Sequence, residues 1–253
     1  MLEEYIREQR KQQDILLMTH IVLGYPSFGD CMRMVESMVE AGVELMELQI
    51  PFSEPMADGS VILQANAAAL ARGANLDKCL AFAAEVTARF PIPFLFMTYY
   101  NIPFVFGLER FAGAMADRKM RGAIVPDLPP EEANDYLAAL ARHDVEPIFL
   151  FSPTTHPARM AYVSSFAKGF VYCVARKGVT GADTAFGDSL DSYLARCRAV
   201  TSLPLAVGFG IKDKSDVDFL RGKADVAIVG SETLRIVDRE GLAAVGPFIR
   251  GLR

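Results

Sequence analysis

Leu45–Ser60 reads LMELQIPFSEPMADGS. Leu45 to Ile50 is a mostly apolar run of strand length, and it stops at Pro51, which cannot donate to a sheet ladder. A polar loop carrying Ser53, Glu54 and Asp58 follows, and a helical pattern opens at Val61. Strand, loop and helix in that order form one βα unit. One carboxylate, Glu47, lies inside the apolar run. A buried charge is costly unless it is paired or has given up its ionisation, and strongly perturbed carboxylates are candidates for acid–base chemistry.

Working outward, the same unit recurs. Apolar runs of strand length lie at Ile15–Leu23, Pro93–Tyr99, Gly122–Pro126, Ile148–Phe151, Gly169–Ala175, Leu203–Gly208 and Ala224–Val229. Helical stretches fall between them, at Asp30–Ala41, Val61–Ala71, Leu76–Arg89, Leu108–Ala116, Pro157–Phe166, Leu190–Val200 and Ser215–Arg221. A further helix starts at Pro129–Glu132, and Glu232–Ile236 and a C-terminal helix close the chain. The strands are apolar on both faces, as parallel strands covered by helices are. Eight such units in 253 residues predict a (β/α)8 TIM barrel. Leu2–Gln13 is expected as an extra N-terminal helix, and residues 1–253 as one domain without a linker. An open doubly wound sheet is the weaker reading, because no G-x-G-x-x-G follows the first strand.

Composition excludes several classes. A net charge of −5 and no basic stripe argue against nucleic-acid binding. No apolar run reaches the ~18 residues of a membrane span. Leu2–Gln13 is charged and amphipathic, unlike a signal peptide. Cys31, Cys79, Cys173 and Cys197 show neither metal-ligand nor redox spacing, so free thiols in a cytoplasmic protein are expected. His20, His143 and His156 are far apart, and no metal site is expected from them.

In such barrels the chemistry sits at the C-terminal ends of the strands. Leu45, Glu47 and Gln49 share one strand face, and the other face, Met46, Leu48 and Ile50, is wholly apolar. The apolar face suits the outer helix layer, so Glu47 is expected to point into the barrel near its mouth. Burial there suits a general acid; the alternative is a structural glutamate held by an arginine or by backbone amides. Asp58 can hold an N–H or accept a proton from a substrate, or it can form an Asx-turn with Gly59. Three glycine-bearing loops, Gly178–Gly181, Gly208–Gly210 and Gly230-Ser231, end the last three strands. Backbone close to an anion and a helix N-terminus are what a phosphate needs. Tyr99, Tyr100, Tyr172, Phe52 and Phe209 stand at strand ends, either to hold a flat substrate or to fill the barrel.

These segments together resemble the tryptophan synthase α subunit family. The match runs through Glu47–Gly59 (ELQIPFSEPMADG), Phe96–Asn101 (FMTYYN), Ile124–Pro129 (IVPDLP), Pro147–Leu150, Arg176–Gly181 (RKGVTG) and Val207–Ile211 (VGFGI), in the family's order. The resemblance implies a lyase that cleaves indole-3-glycerol phosphate to indole and glyceraldehyde 3-phosphate by retro-aldol chemistry, without a metal or organic cofactor. It implies that Glu47 is the acid–base glutamate and that Asp58 binds the indole N–H. Thr180 and Gly181 match a closing loop; Gly181, Gly210, Gly230 and Ser231 match the phosphate cradle. Tyr99, Tyr172 and Phe209 match the indole pocket, and His20 occupies a usually apolar position in that pocket. It also implies a β-subunit partner in an α2β2 assembly. Tyr25, Gln49, Glu54 and Ser60 depart from the family pattern in loops expected to face that partner, and Glu232 adds a charge beside the expected phosphate loop. Those departures keep open a free-standing indole-releasing lyase and a regulatory α-like subunit. A sugar-phosphate isomerase is a distant third.

Overall fold

The structure, a computed structural model, describes residues 1–174, 190–208 and 210–253. Eight strands close into a barrel in sequence order, and every neighbouring pair is parallel. They are β1 (Leu16–Val22), β2 (Leu45–Gln49), β3 (Phe94–Met97), β4 (Gly122–Ile124), β5 (Glu146–Phe151), β6 (Val171–Val174), β7 (Leu205–Gly208) and β8 (Val226–Val229). The TIM-barrel expectation holds.

Two apolar layers follow from the strand alternation. Leu16, Met18, Leu45, Leu95, Ile124, Ile148, Ala206, Val226 and Ile228 pack together inside the barrel. Met46, Leu48, Phe94, Phe96, Phe149, Val171 and Val207 pack outward against the helices. Neighbouring β2 residues thus fall into different layers, which puts Glu47 on the inner face with Leu45.

The helices preceding the last third of the barrel are α1 (Leu2–Gln9), α2 (Phe28–Glu40), α3 (Ser60–Ala71), α4 (Leu76–Arg89), α5 (Asn101–Phe106), α6 (Leu108–Asp117), α7 (Asn134–Arg142) and α8 (Pro157–Ser164). After them come α9 (Leu190–Val200), α10 (Lys214–Leu220), α11 (Ser231–Glu240) and α12 (Val245–Gly251). Helix α1 closes the N-terminal end: Leu2 and Ile6 are buried in the inner layer. The Leu2 N–H donates to the Glu146 carboxylate at 2.9 Å. Gly122 and Gly169 are required by this plug, since a Cβ at Gly122 would lie 3.1 Å from Leu2 and one at Gly169 only 2.9 Å from the Glu146 carboxylate.

Several element bounds differ from expectation, three of them for identifiable reasons. Helix α1 stops at Gln9 rather than Gln13, and Arg10 donates to the Gln13 carbonyl at 2.7 Å as the chain turns into β1. Strand β5 starts at Glu146, pairing Glu146 and Pro147 with Gly122 and Ala123, where a charge and a proline hide it from a hydrophobicity reading. Helix α5 was masked by Pro103, which a first helical turn tolerates because its missing N–H has no intrahelical partner there.

Candidate active site

Glu47 lies at the inner mouth of the barrel with only 2% of its surface exposed. His20, opposite it in the β1–β2 register, donates Nδ1–H to Glu47 Oε1 at 2.9 Å. Tyr172 on β6 donates its hydroxyl to the same oxygen at 3.4 Å. Glu47 Oε2 is buried and has no hydrogen-bond partner among the described residues. Burial pushes the His20 pKa down, but the Glu47 hydrogen bond and the charges of Glu47 and Asp58 outweigh it, so the net shift is upward. The ring therefore holds its proton above the usual histidine range.

Asp58 is held over the same opening. Gln49 Nε2 donates to Asp58 Oδ2 at 2.6 Å, and the Tyr99 hydroxyl donates to the same oxygen at 2.9 Å. The Ala57 N–H in turn donates to the Tyr99 oxygen at 3.0 Å, so loop and strand β3 are stitched together. Phe52 stacks on Tyr99 with ring centroids 5.3 Å apart. The Phe52 N–H donates to Asn66 Oδ1 at 2.9 Å, which anchors the loop to α3. Burial and the Asp58 carboxylate raise the Tyr99 pKa, so its hydroxyl remains a donor. Burial and the Glu47 charge do the same for Tyr172.

Across the mouth, Gly230 ends β8 and leads into α11, whose first residue is Ser231. A Cβ on Gly230 would sit 4.0 Å from that of His20, so the glycine borders the same cavity wall. Gly210 has φ +85°, a conformation in which glycine is unstrained, and open space where a Cβ would project. The α11 N-terminus presents orphan backbone N–H groups, the usual setting for an anion. The Glu232 carboxylate does not disturb it: Arg235 donates to it at 3.0 Å and Arg239 at 2.9 Å.

The site lies in a fold that other proteins share. Residues 6–245 match the family profile described as tryptophan synthase alpha chain. The chain belongs to this family. It is 60% identical to the tryptophan synthase alpha chain of Desulforapulum autotrophicum over all of both chains. Identity to that of Syntrophotalea carbinolica is 59%, again over the full length of both. Among solved structures, the ligand-free tryptophan synthase of M. tuberculosis superposes with a TM-score of 0.91 at 28% identity, over 99% of this chain and 96% of that one. The tryptophan synthase complex from Pyrococcus furiosus gives a TM-score of 0.86 at 25% identity, over 94% of this chain and 97% of that one. The chain is accordingly a lyase of tryptophan biosynthesis that cleaves indole-3-glycerol phosphate.

Of the residues singled out in the sequence, Glu47, His20 and Tyr172 form one hydrogen-bonded group at the mouth, and Asp58 and Tyr99 form another. Gly210 follows β7, and Gly230 and Ser231 follow β8. Thr180, Gly181 and Phe209 lie outside the described residues. The Asx-turn alternative for Asp58 is not what its described bonds show, because they go to Gln49 and Tyr99. Gln49 was read as partner-facing, but it is the last residue of β2, fully buried on the inner face. Tyr25 likewise spends its hydroxyl inside the subunit, on Asp238 at 2.6 Å. Sequence reading missed Asn66 and the use of Gly208. A Cβ at Gly208 would come within 3.3 Å of the Tyr172 hydroxyl, so this glycine clears space for the tyrosine. A buried asparagine in the alanine-rich α3 was the available signal for Asn66.

Proposed function

We propose that Glu47 is the acid–base group of the indole-3-glycerol phosphate cleavage and that Asp58 binds the indole N–H. Glu47 gives a proton to the ring carbon that bears the glycerol chain, which turns the ring into an electron sink. It then takes the proton of the adjacent glycerol hydroxyl. The carbon–carbon bond breaks with its electron pair returning to the ring, giving indole and glyceraldehyde 3-phosphate. Asp58 offsets the positive charge that develops at the ring nitrogen. The observation that carries this reading is the pairing of a buried glutamate that has one oxygen without a partner among the described residues with an aspartate whose described bonds both fall on Oδ2. Oδ1 is thereby left for the substrate N–H. Tyr99, Tyr172 and Phe209 line the indole, with Thr180 supporting Asp58. Gly181, Gly210, Gly230 and Ser231 take the phosphate, whose remote contacts hold the substrate while the bond breaks.

The partner is a tryptophan synthase β subunit, in the cytoplasm. Met56, in the loop after β2, is 88% exposed, and Phe104 and Val105 on α5 after β3 are 63% and 75% exposed. Exposed apolar side chains on neighbouring loops suit a docking face better than solvent. A free-standing lyase is the second reading, motivated by Glu54 and Ser60, both exposed where the family pattern differs. Indole release from indole-3-glycerol phosphate, assayed with and without a β subunit, tests both. Release that the β subunit accelerates, with co-elution on size exclusion, is expected. Release that a β subunit leaves unchanged favours the free-standing enzyme, and no release rejects the lyase roles.

A further inference from the structure

The two carboxylates are held by different side chains, which come from adjacent strands. His20 bonds Glu47 through Nδ1 at 2.9 Å. Gln49 bonds Asp58 through Nε2 at 2.6 Å. Their other polar atoms, His20 Nε2 and Gln49 Oε1, are buried, and neither has a hydrogen-bond partner among the described residues. Gln49 Oε1 is an acceptor, and His20 Nε2 is a donor when the ring is protonated. His20 stands opposite Glu47 in the parallel ladder, and Gln49 lies two residues further along β2, so both side chains are on the inner face of adjacent strands. Buried polar atoms in folded proteins are overwhelmingly paired.

We propose that His20 and Gln49 are positioning residues that join through Nε2–H and Oε1, making Glu47, His20, Gln49 and Asp58 one hydrogen-bonded chain across the mouth. The proposal rests on the lyase roles of Glu47 and Asp58. Every donor in the chain then meets an acceptor. The Gln49 amide can satisfy both neighbours in one orientation only: oxygen toward the imidazole, nitrogen toward the aspartate. This has a consequence for the proton. A bond from Nε2–H to Gln49 fixes that proton in both charge states of the ring, so Nδ1 is the nitrogen that exchanges with Glu47. When the Nδ1 proton moves to Glu47 Oε1, the imidazole becomes neutral and Glu47 becomes the carboxylic acid that the cleavage needs. When Glu47 returns it, the imidazolium is restored. No other reactant is involved.

The groups around the ring fit this use. Glu47 on β2 and Asp58 after it are the charges facing His20; Gln49 also favours its protonated form. Tyr172 on β6 bonds Glu47, and Tyr99 on β3 bonds Asp58, both as neutral donors. From β8 the neighbour is Gly230, which carries no titratable group, and the Glu232 beyond it is paired with Arg235 and Arg239.

The test is an NMR titration of the His20 ring in the whole chain, with His20→Asn identifying its signal among the three histidines. In the unsubstituted protein the midpoint is expected above the ordinary ~6.5. Glu47→Gln is expected to lower the ring's proton affinity more than about tenfold, one pH unit. Gln49→Met should lower it by a smaller, measurable amount; if that variant does not fold, Gln49→Gly is read instead. A His20 midpoint that ignores the Gln49 substitution overturns the chain. In parallel, Gln49→Met should move the alkaline limb of kcat for indole release toward lower pH. An unmoved limb in an active enzyme also counts against the proposal. Absence of indole release in the unsubstituted protein would reject the lyase roles and, with them, the catalytic use of the chain, while the titration still decides whether the chain exists.

Discussion

Among the described residues, neither Glu44 nor Glu146, at the closed end of the barrel, leaves a buried carboxylate oxygen without a partner, whereas Glu47, at the mouth, does. Glu44 accepts the Leu17 N–H and pairs with Arg253. Glu146 accepts the Leu2 N–H. All three side chains are buried. The difference is in what surrounds them. The closed end spends its carboxylates on backbone amides that α1 and β1 would otherwise leave orphaned. The mouth spends imidazole, tyrosine and amide groups on holding carboxylates in place and leaves acceptor capacity open. A buried acceptor without a partner costs about 1–3 kcal/mol. Burial therefore does not set the proposed acid–base glutamate apart from the other two; its buried, unpaired oxygen does.

Substitutions at the two ends should separate function from stability. Asp58→Asn should lower kcat for indole release by about 10²-fold or more, while calorimetric titration with glycerol phosphate still detects phosphate binding. Loss of both would show that Asp58 supports the fold of the mouth rather than the chemistry. At the closed end, Leu2→Ala should cost about 2–5 kcal/mol in urea unfolding, as expected for a cavity under a plugging helix, with kcat kept. A smaller effect comes from pH. Burial raises the pKa of both Glu44 and Glu146, against the opposing pull of their partners. Between the ordinary carboxylate value and the raised one, the folded state binds more protons than the unfolded state. Stability should therefore rise as pH falls from 7 through that window, and Glu146→Gln should flatten the rise in urea midpoints. A slope unchanged by Glu146→Gln would assign it to other groups. Smallest for the fold is Phe104→Ser on the exposed face, expected within about 0.5 kcal/mol of the parent. Its effect should appear in β-subunit binding, as about a tenfold loss of affinity.

Much of this arrangement was legible in the sequence. Strict alternation in LMELQI placed Glu47 inward, because period two leaves a strand only two faces and one of them was wholly apolar. The barrel followed from recurrence, since parallel strands buried on both faces give short, unmistakably apolar runs. What stayed hidden depends on contacts distant in sequence. Nothing in Gln49 announces a bond to Asp58, because the loop between them must first fold back over the strand. Tyr25 looked like a surface departure until Asp238, 213 positions away, supplied its partner. Glu232 looked like a repulsive charge because arginines one and two turns on, Arg235 and Arg239, were not read as its partners. The plug by α1 was legible as a helix but not as a lid on the barrel floor, since its two buried residues carry no sign of where they dock.

The most direct measurement sets one end against the other: indole release and thermal unfolding of Glu47→Gln beside Glu146→Gln. If a buried, unpaired oxygen marks the working glutamate, Glu47→Gln keeps a cooperative transition and loses about 10²-fold or more in kcat, while Glu146→Gln turns over like the parent. Turnover by Glu47→Gln at the parent rate, or an equal loss in both variants, would contradict it.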